Sequence, residues 1–551
     1  MFFRTSQLIK NEREVVLIAF VAFAFYACAF WWGLPHATHA QGVHGWDVDG
    51  VTGLLTLSEL HNLVLGPEKD WWLAYPVFHY LLLGALYFPY LAYVFLTGGL
   101  SQPTDIYPYG MTDPVSTLRH LVLIGRFVTV LMASAVVANT YLTARTIWDT
   151  STARLAAIAI ALPAPMVYYS RTGNLDIPVL FWMTLAVLMI ARSLKYGFTV
   201  KRAVLIGIFS AVAVSTKDQA YAPLIIGMVA LMIVHIRNSP ETDRWRSPLT
   251  MVGTGFFAFV LSSGLVFAPT RFFKHIEFVL NFKSTFWNVA NLDLLHDPTP
   301  HGYFDLNLEI WQYLLMAIGP VLLVVGVIGL LVSWRAEVFT KLLLGMLLAH
   351  VLFVIFPIMH MQYRYTLFPI FVFSFFIARA FGFALERPIR AKAIAMGVLL
   401  LGFSWLALRS IDLTYQMVSD SRYAAAEWLE THASTGDKIA FVSLTQIPHL
   451  PPGTSAIDLI EDPEPLSSLV AKEARFLLLQ TDFSSERIDK YSRFFPAELY
   501  DAMVDGSLDY EKKAVFVSKS LFTGFLLDLP LVTPHLVNPR VTIFELADGP
   551  E

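Results

Sequence analysis

Long apolar runs recur along the whole chain, each close to the length that crosses a bilayer. They fall at 15–33, 80–98, 120–143, 154–170, 177–194, 203–216, 219–236, 248–269, 308–333, 342–358, 366–384 and 393–410. A spanning helix needs ~20 mostly apolar residues, and only helices or closed barrels satisfy their backbone groups inside hydrocarbon. The pattern therefore predicts a polytopic α-helical membrane protein. Composition agrees: 15% of the residues are charged, against roughly a quarter in a soluble domain. The net charge of -4 gives no case for a nucleic-acid partner. The single cysteine, Cys28, excludes an internal disulfide and a four-cysteine metal site. The first run comes after Arg4, Lys10 and Arg13. It is longer than the ~7–15 apolar residues of a leader, so it reads as a retained helix.

Lys and Arg collect in cytoplasmic loops, which makes them a ruler for topology. They cluster at 4–13, 145–154, 192–202, 237–246, 335–341 and 387–392. Between the clusters the apolar runs lie in pairs that leave the cytoplasm and return, and the run 393–410 then exports the tail. The runs 80–98 and 120–143 break this parity if both cross. The loop 99–117 between them carries Asp105 and Asp113 and no Lys or Arg, so it reads as external. The run 80–98, with Pro89 in its middle, is expected to be re-entrant or to lie along the interface. About eleven spans remain, with the N-terminus inside and the C-terminus outside.

Residues 1–410 then form the transmembrane module, with large external loops at 34–117 and 271–307. Residues 411–551 form an external domain. There an Ala-rich helix at 422–431 alternates with β-like runs at 438–444, 475–480, 513–517 and 541–546, the pattern of a small α/β domain.

Ionisable groups near a membrane are costly unless they pair or serve function. The topology puts His44, Asp47, Asp49, His79, Arg171, Asp176, Lys217, Asp218, His360 and Arg364 at the outer face. Acids and bases from separate loops converge there, as a site for an anionic, lipid-attached substrate requires. Lys and Arg hold a phosphate, and a carboxylate takes a proton from an attacking hydroxyl or amine. Each candidate also has a plain structural reading. Gly45-Trp46-Asp47-Val48-Asp49-Gly50 is also what a solvated turn looks like. Tyr75-Pro76-Val77-Phe78-His79-Tyr80 is also an aromatic interface belt. Arg171 and Asp176 also make a plausible ion pair closing a turn, and Lys217-Asp218 a snorkelling pair. Arg126 lies well inside a span, so it needs either an acid in the bundle or an anionic ligand. His350, also inside a span, reads as a packing histidine with one hydrogen bond.

These segments, in this order, resemble GT-C glycosyltransferases of the protein O-mannosyltransferase and aminoarabinose transferase type. The first external loop of that group carries an acidic motif, which Trp46-Asp47-Val48-Asp49 resembles. A Pro-containing motif leading into an apolar stretch looks like Tyr75-Pro76-Val77-Phe78-His79-Tyr80-Leu81. An Arg starting the next span looks like Arg126. Ser170-Arg171-Thr172-Gly173-Asn174-Leu175-Asp176-Ile177-Pro178-Val179, Thr216-Lys217 and Arg364-Tyr365-Thr366-Leu367-Phe368-Pro369 come next, in the group's order. The acidic pair is Asp-Val-Asp where that group often has Asp-Glu, and Tyr75 stands where some members place a basic residue.

The resemblance implies a polyprenyl-phosphate-sugar donor, a lipid, glycan or protein acceptor, and inverting transfer on the outer face. The compact chain without a retention signal points to a bacterial inner membrane, with its lipids around the protein. It implies Asp47 as general base with Asp49 as its alternate. Arg126, Lys217 and Arg364 would hold the donor phosphate, with Arg171, Tyr365 and His79 as further substrate contacts. Asp176 would order the site or bind the acceptor. No cofactor or metal is implied. Two rival functions are a flippase for a lipid-linked saccharide and a non-catalytic envelope assembly protein. A transporter is expected to show internal repeats and charged residues at mid-membrane in matching halves; the sequence shows no such symmetry, and its polar groups gather at one face. The role of the tail, acceptor recognition or structural cap, is open.

Overall fold

A computed structural model describes residues 2–38, 42–65, 74–102, 104, 106–241, 244–281, 296–335, 337–443, 446–459, 473–480, 502, 505, 507–522 and 537–547. Parts of both expected external loops, of the tail, and Leu444 lie outside the described residues.

The chain opens with α1 (Phe2–Ala27), α2 (Leu54–Leu65), α3 (Phe78–Leu96) and α4 (Pro114–Ile147). Next come α5 (Thr150–Ala161), α6 (Ala164–Tyr169), α7 (Asp176–Tyr196), α8 (Val200–Thr216), α9 (Tyr221–Asn238), α10 (Arg246–Ser262) and α11 (Pro269–Leu280). After them come α12 (Pro300–Ile318), α13 (Pro320–Ser333), α14 (Val338–His350), α15 (Leu367–Leu385), α16 (Ile389–Val418) and α17 (Ser421–His432). Among the described residues, seven helical stretches are long and apolar enough to cross a membrane. They are α3, α4, α7, α9, α14 with the turns that extend it to Ile358, α15, and α16 continued through α17. The shorter α5, α8 and α10 pack into the same bundle.

Local signals set the helix ends. The Asp113 carboxylate accepts from Ser116 N at 2.9 Å, and Pro114 starts α4, where its missing N–H costs nothing. Asp149 caps α5 through the amides of Ser151 and Thr152. Pro163 separates α5 from α6. The expected single span 308–333 is instead α12 and α13, bent by 107°. The break falls at Gly319, whose φ of 79° is left-handed, with Pro320 directly after it. α16 also runs past the expected domain boundary at residue 410 and ends at Val418.

The two ends of the bundle differ in chemistry. One end joins Glu14 to Arg154 at 2.6 Å and Glu337 to Arg379 at 2.7 Å, and these groups lie in or near the basic clusters used above. The other end holds the C-terminus of α1, the N-termini of α7 and α15, and the C-terminus of α8. α3 begins beside this second end, where the Lys217 ammonium sits 5.9 Å from the Tyr75 ring centre. Its far end meets the segment just before α4, where Gly99 O accepts from Thr112 N at 3.0 Å and from Thr112 Oγ1 at 3.2 Å.

Beyond α16, α17 packs on a five-stranded mixed sheet with strand order β2-β1-β3-β5-β4. The strands are β1 (Lys438–Ser443), β2 (Ser455–Asp458), β3 (Phe476–Gln480), β4 (Tyr510–Phe516) and β5 (Val541–Leu546). β1 pairs parallel with β2 and β3, and β5 antiparallel with β3 and β4. Ile439, Phe441, Phe476, Leu478 and Ile543 alternate onto the face under Ala425 and Leu429 of α17, the period of two expected of strands.

Candidate active site

Asp47 anchors the first loop. Its Oδ1 accepts from Arg126 Nη2 at 2.6 Å, and its Oδ2 accepts from the Gly173 amide, also at 2.6 Å. Arg126 reaches Asp47 from the fourth turn of α4 and is fully buried. Its other terminal nitrogen donates to the carbonyls of Phe30 and Trp32 just past α1. The loop is also stapled by its backbone: Val51 N donates to Gly173 O at 3.0 Å, and Asn174 Nδ2 donates to Val48 O at 2.7 Å. The acid that Arg126 needs is thus inside the bundle. Asp47 itself is buried, with both oxygens engaged.

Two residues on, Asp49 takes φ of 59°, a left-handed conformation that Asp tolerates better than most residues. Its side chain stays 37% exposed, and Oδ2 meets Arg364 Nη1 at 2.5 Å. Arg364 enters from the turn before α15 and stacks beside Tyr365, 5.6 Å from its ring centre. Lys217, at the end of α8, pairs with Asp176 at the start of α7 at 2.6 Å. Burial pushes the Lys217 ammonium down from its usual range, with Asp176 opposing. Burial pushes the nearby Tyr75 phenol up, and the charge of Asp49 adds to this while Arg364 opposes it. Asp176, Gln219, His350, Arg364 and Tyr365 line a small cavity beside this cluster.

The expected residues therefore divide. Asp49, Asp176, Lys217, Arg364 and Tyr365 share one cluster, in which Asp49 is the exposed member and Asp176, Lys217 and Tyr365 are buried. Asp47 and Arg126 form a buried pair directly behind it. Arg171 departs from the expected role of substrate contact. It is fully buried, and it donates from Nε to Tyr26 O and from Nη2 to Phe25 O, with Nη1 on Thr414 Oγ1. A guanidinium on the terminal carbonyls of α1 suits the negative end of a helix. Nor does it pair with Asp176. His79 is buried at the start of α3, with its Nδ1 unpaired among the described residues. Asp218 pairs with His275 at 3.1 Å, not with its neighbour Lys217. His350 is the expected packing histidine, donating from Nε2 to Tyr365 O at 3.2 Å.

A family model described as dolichyl-phosphate-mannose-protein mannosyltransferase matches residues 122–267, which hold Arg126, Asp176 and Lys217. The whole architecture is similar to ArnT from Cupriavidus metallidurans, solved bound to undecaprenyl phosphate. That likeness has 12% identity and a TM-score of 0.50 over 98% of this chain and 99% of that one. At 12% identity this likeness shows a shared fold. Among solved structures the chain is also similar to the oligosaccharyltransferase AglB from Archaeoglobus fulgidus, in complex with an inhibitory peptide and a dolichol-phosphate (12% identity, 94% and 75% coverage, TM-score 0.46). A further likeness is to the S. cerevisiae protein O-mannosyltransferase Pmt1-Pmt2 complex bound to the sugar donor (16% identity, 45% and 33% coverage, TM-score 0.33). No curated protein matches the chain in sequence.

Three features of this site and its surroundings carry no clear signal in the sequence. The Gly173 amide that holds Asp47 carries no side-chain signal. Arg271 on α11 pairs with Glu59 on α2 at 3.0 Å, fully buried, and also donates to Tyr75 O. A lone acid within the apolar α2 was the available hint. Asp420 and Arg422, at the entry to the C-terminal domain, form another buried ion pair.

Proposed function

We propose that this chain is a GT-C glycosyltransferase that moves a sugar from a polyprenyl-phosphate-linked donor to an acceptor on the extracytoplasmic face of a bacterial inner membrane. In this reading the N-terminus is cytoplasmic and the C-terminal domain periplasmic. The observation that carries the reading is the accessible contact between Asp49 and Arg364 beside the Lys217–Asp176 pair. It puts two carboxylates, two cations and a phenol from four separate segments into one cluster.

Asp49, the accessible acid, is the general base, and Asp47 is the buried anchor that fixes the loop. This reverses the order that the resemblance implied. The donor phosphate takes Arg364 and Lys217 as partners. Binding then competes with Asp49 for Arg364 and frees that carboxylate for the acceptor. The acceptor's hydroxyl or amine gives its proton to Asp49 while its lone pair bonds to the anomeric carbon. The bond from that carbon to the phosphate oxygen breaks, its electron pair leaves with the polyprenyl phosphate, and the anomeric configuration inverts. The leaving phosphate is met by charges already in place, the electrostatic preorganisation that lowers such barriers.

The test is Asp49→Asn in the full-length protein. Sugar transfer in membranes from the producing cell is expected to disappear while binding of undecaprenyl phosphate persists. Full transfer activity in Asp49→Asn would discard the base assignment.

A further inference from the structure

The acidic loop does not rest on membrane helices alone. Trp46, directly before Asp47, is fully buried, and most of what surrounds its ring comes from the C-terminal domain. Its Nε1 donates to Ile447 O at 3.1 Å. Its ring lies 4.7 Å from that of Tyr423 and 5.0 Å from that of His449, between centroids. The Arg422 guanidinium sits 4.1 Å from its centre.

Arg422 is itself fully fixed. It donates from Nε to Asp420 Oδ1 at 2.9 Å, from Nη2 to Asp420 Oδ2 at 2.8 Å, and from Nη1 to Gln446 O at 3.1 Å. Asp420 also accepts from Trp32 Nε1 at 3.0 Å and from Asn538 N at 2.8 Å. Neither side chain of the pair has any exposed surface. One cluster thus ties together the segment just past α1, the acidic loop, and three separate segments of the C-terminal domain.

A buried ion pair is a poor device for mere docking, because apolar residues of equal volume often stabilise as well or better. What it adds is direction. A two-pronged Arg–carboxylate contact fixes the plane of the guanidinium, and that plane fixes the indole face stacked on it. We propose that Arg422 is a positioning residue for the acidic loop: held by Asp420, it sets the place of Trp46 and through it of Asp47 and Asp49. The C-terminal domain is then a required part of the site. This rests on the proposed reading of the 47–49 loop as the reacting loop.

The test uses the full-length protein in nanodiscs, monitored by hydrogen–deuterium exchange. Arg422→Lys keeps the charge and loses the fork; Trp46→Leu removes the stacking face; Trp46→Phe restores it. Arg422→Lys and Trp46→Leu are expected to speed exchange of the Gly50, Val51, Gly53 and Gly173 amides by roughly tenfold or more. Exchange in β1, β3 and β5 should stay as in the unmodified protein, and Trp46→Phe should bring the loop most of the way back. Unchanged loop exchange in both disruptive variants overturns the proposal. So does equal loosening of loop and sheet, which is what a purely stabilising contact would give. If Arg422→Lys does not fold, the comparison of Trp46→Leu with Trp46→Phe decides. Exchange reports positioning whatever Asp49 does chemically, so a fully active Asp49→Asn would remove the base assignment and leave this result standing.

Discussion

Arg364 Nη1 meets Asp49 Oδ2 at 2.5 Å across a sequence separation of 315 residues. The contact couples two roles, because the cation that would hold a donor phosphate neutralises the carboxylate that would serve as base. Arg364→Lys keeps the charge and loses the planar fork. It should weaken undecaprenyl phosphate binding and lower transfer by roughly 10- to 100-fold. Binding by the lysine variant that equals the unmodified protein would show that the phosphate sits elsewhere.

Asp47 predicts a different phenotype. Removing it leaves Arg126 buried with a charge and only carbonyl partners, at a cost of about 3–5 kcal/mol. Asp47→Ala should therefore lower the thermal unfolding temperature of the purified protein clearly. The paired change Asp47→Asn with Arg126→Met, which removes both charges, should recover part of it. Asp49→Asn, at a 37% exposed side chain, should leave the unfolding temperature nearly unchanged. Equal stability loss for the two aspartates would refute this division of labour.

The helices were legible because bilayer length and apolar runs coincide, and the β-runs at 438–444 and 541–546 because strands alternate. The break at Gly319-Pro320 was also written in the chain, as a Gly-Pro pair inside an apolar run, but the run's length hid it. Pairings were not legible. Sequence says that Arg126 inside a span needs an anion. It does not say that the anion is Asp47, held at its other oxygen by a backbone amide. Arg171 shows the converse: its motif points to a site, yet its guanidinium turns to the carbonyls of Phe25 and Tyr26. Direction and burial belong to packing, which residue order alone does not supply.

The seam between the first loop and the C-terminal domain predicts a pH response. Burial holds His449 down to about 3, with His36 and Arg119 adding to this while the Leu34 carbonyl it bonds opposes it. Burial and Arg119 lower His36 as well. An unfolded histidine takes its proton near 6.5, whereas His449 stays neutral in the fold until about 3. Its contribution is complete above about pH 6.5 and is lost as pH falls below it, by up to about 1.4 kcal/mol per pH unit. Thermal unfolding measured from pH 7.5 to 5 should show a falling Tm, and His449→Gln should flatten that fall. An identical slope in the variant would rule out this histidine as the cause.

Gly173 gives the sharpest steric prediction, because space rather than backbone conformation limits it. A Cβ there would lie 2.5 Å from Thr52 Oγ1, 2.8 Å from Thr52 Cγ2 and 3.0 Å from Asp47 Oδ2. Thr52 is buried and cannot swing away freely, so the methyl group pushes the 47–52 turn off the amide that anchors it. Overpacking of this kind costs typically about 1–3 kcal/mol, and a shift of ~1 Å in a reacting group can cost about 100-fold in rate. Gly173→Ala should therefore fold and lose most transfer activity. Adding Thr52→Ala removes both of the closest atoms and should restore much of that activity, although it contributes no new chemistry. A Gly173→Ala protein with undiminished transfer would show that the turn tolerates displacement, and that the Asp47 anchor does not set the position of Asp49.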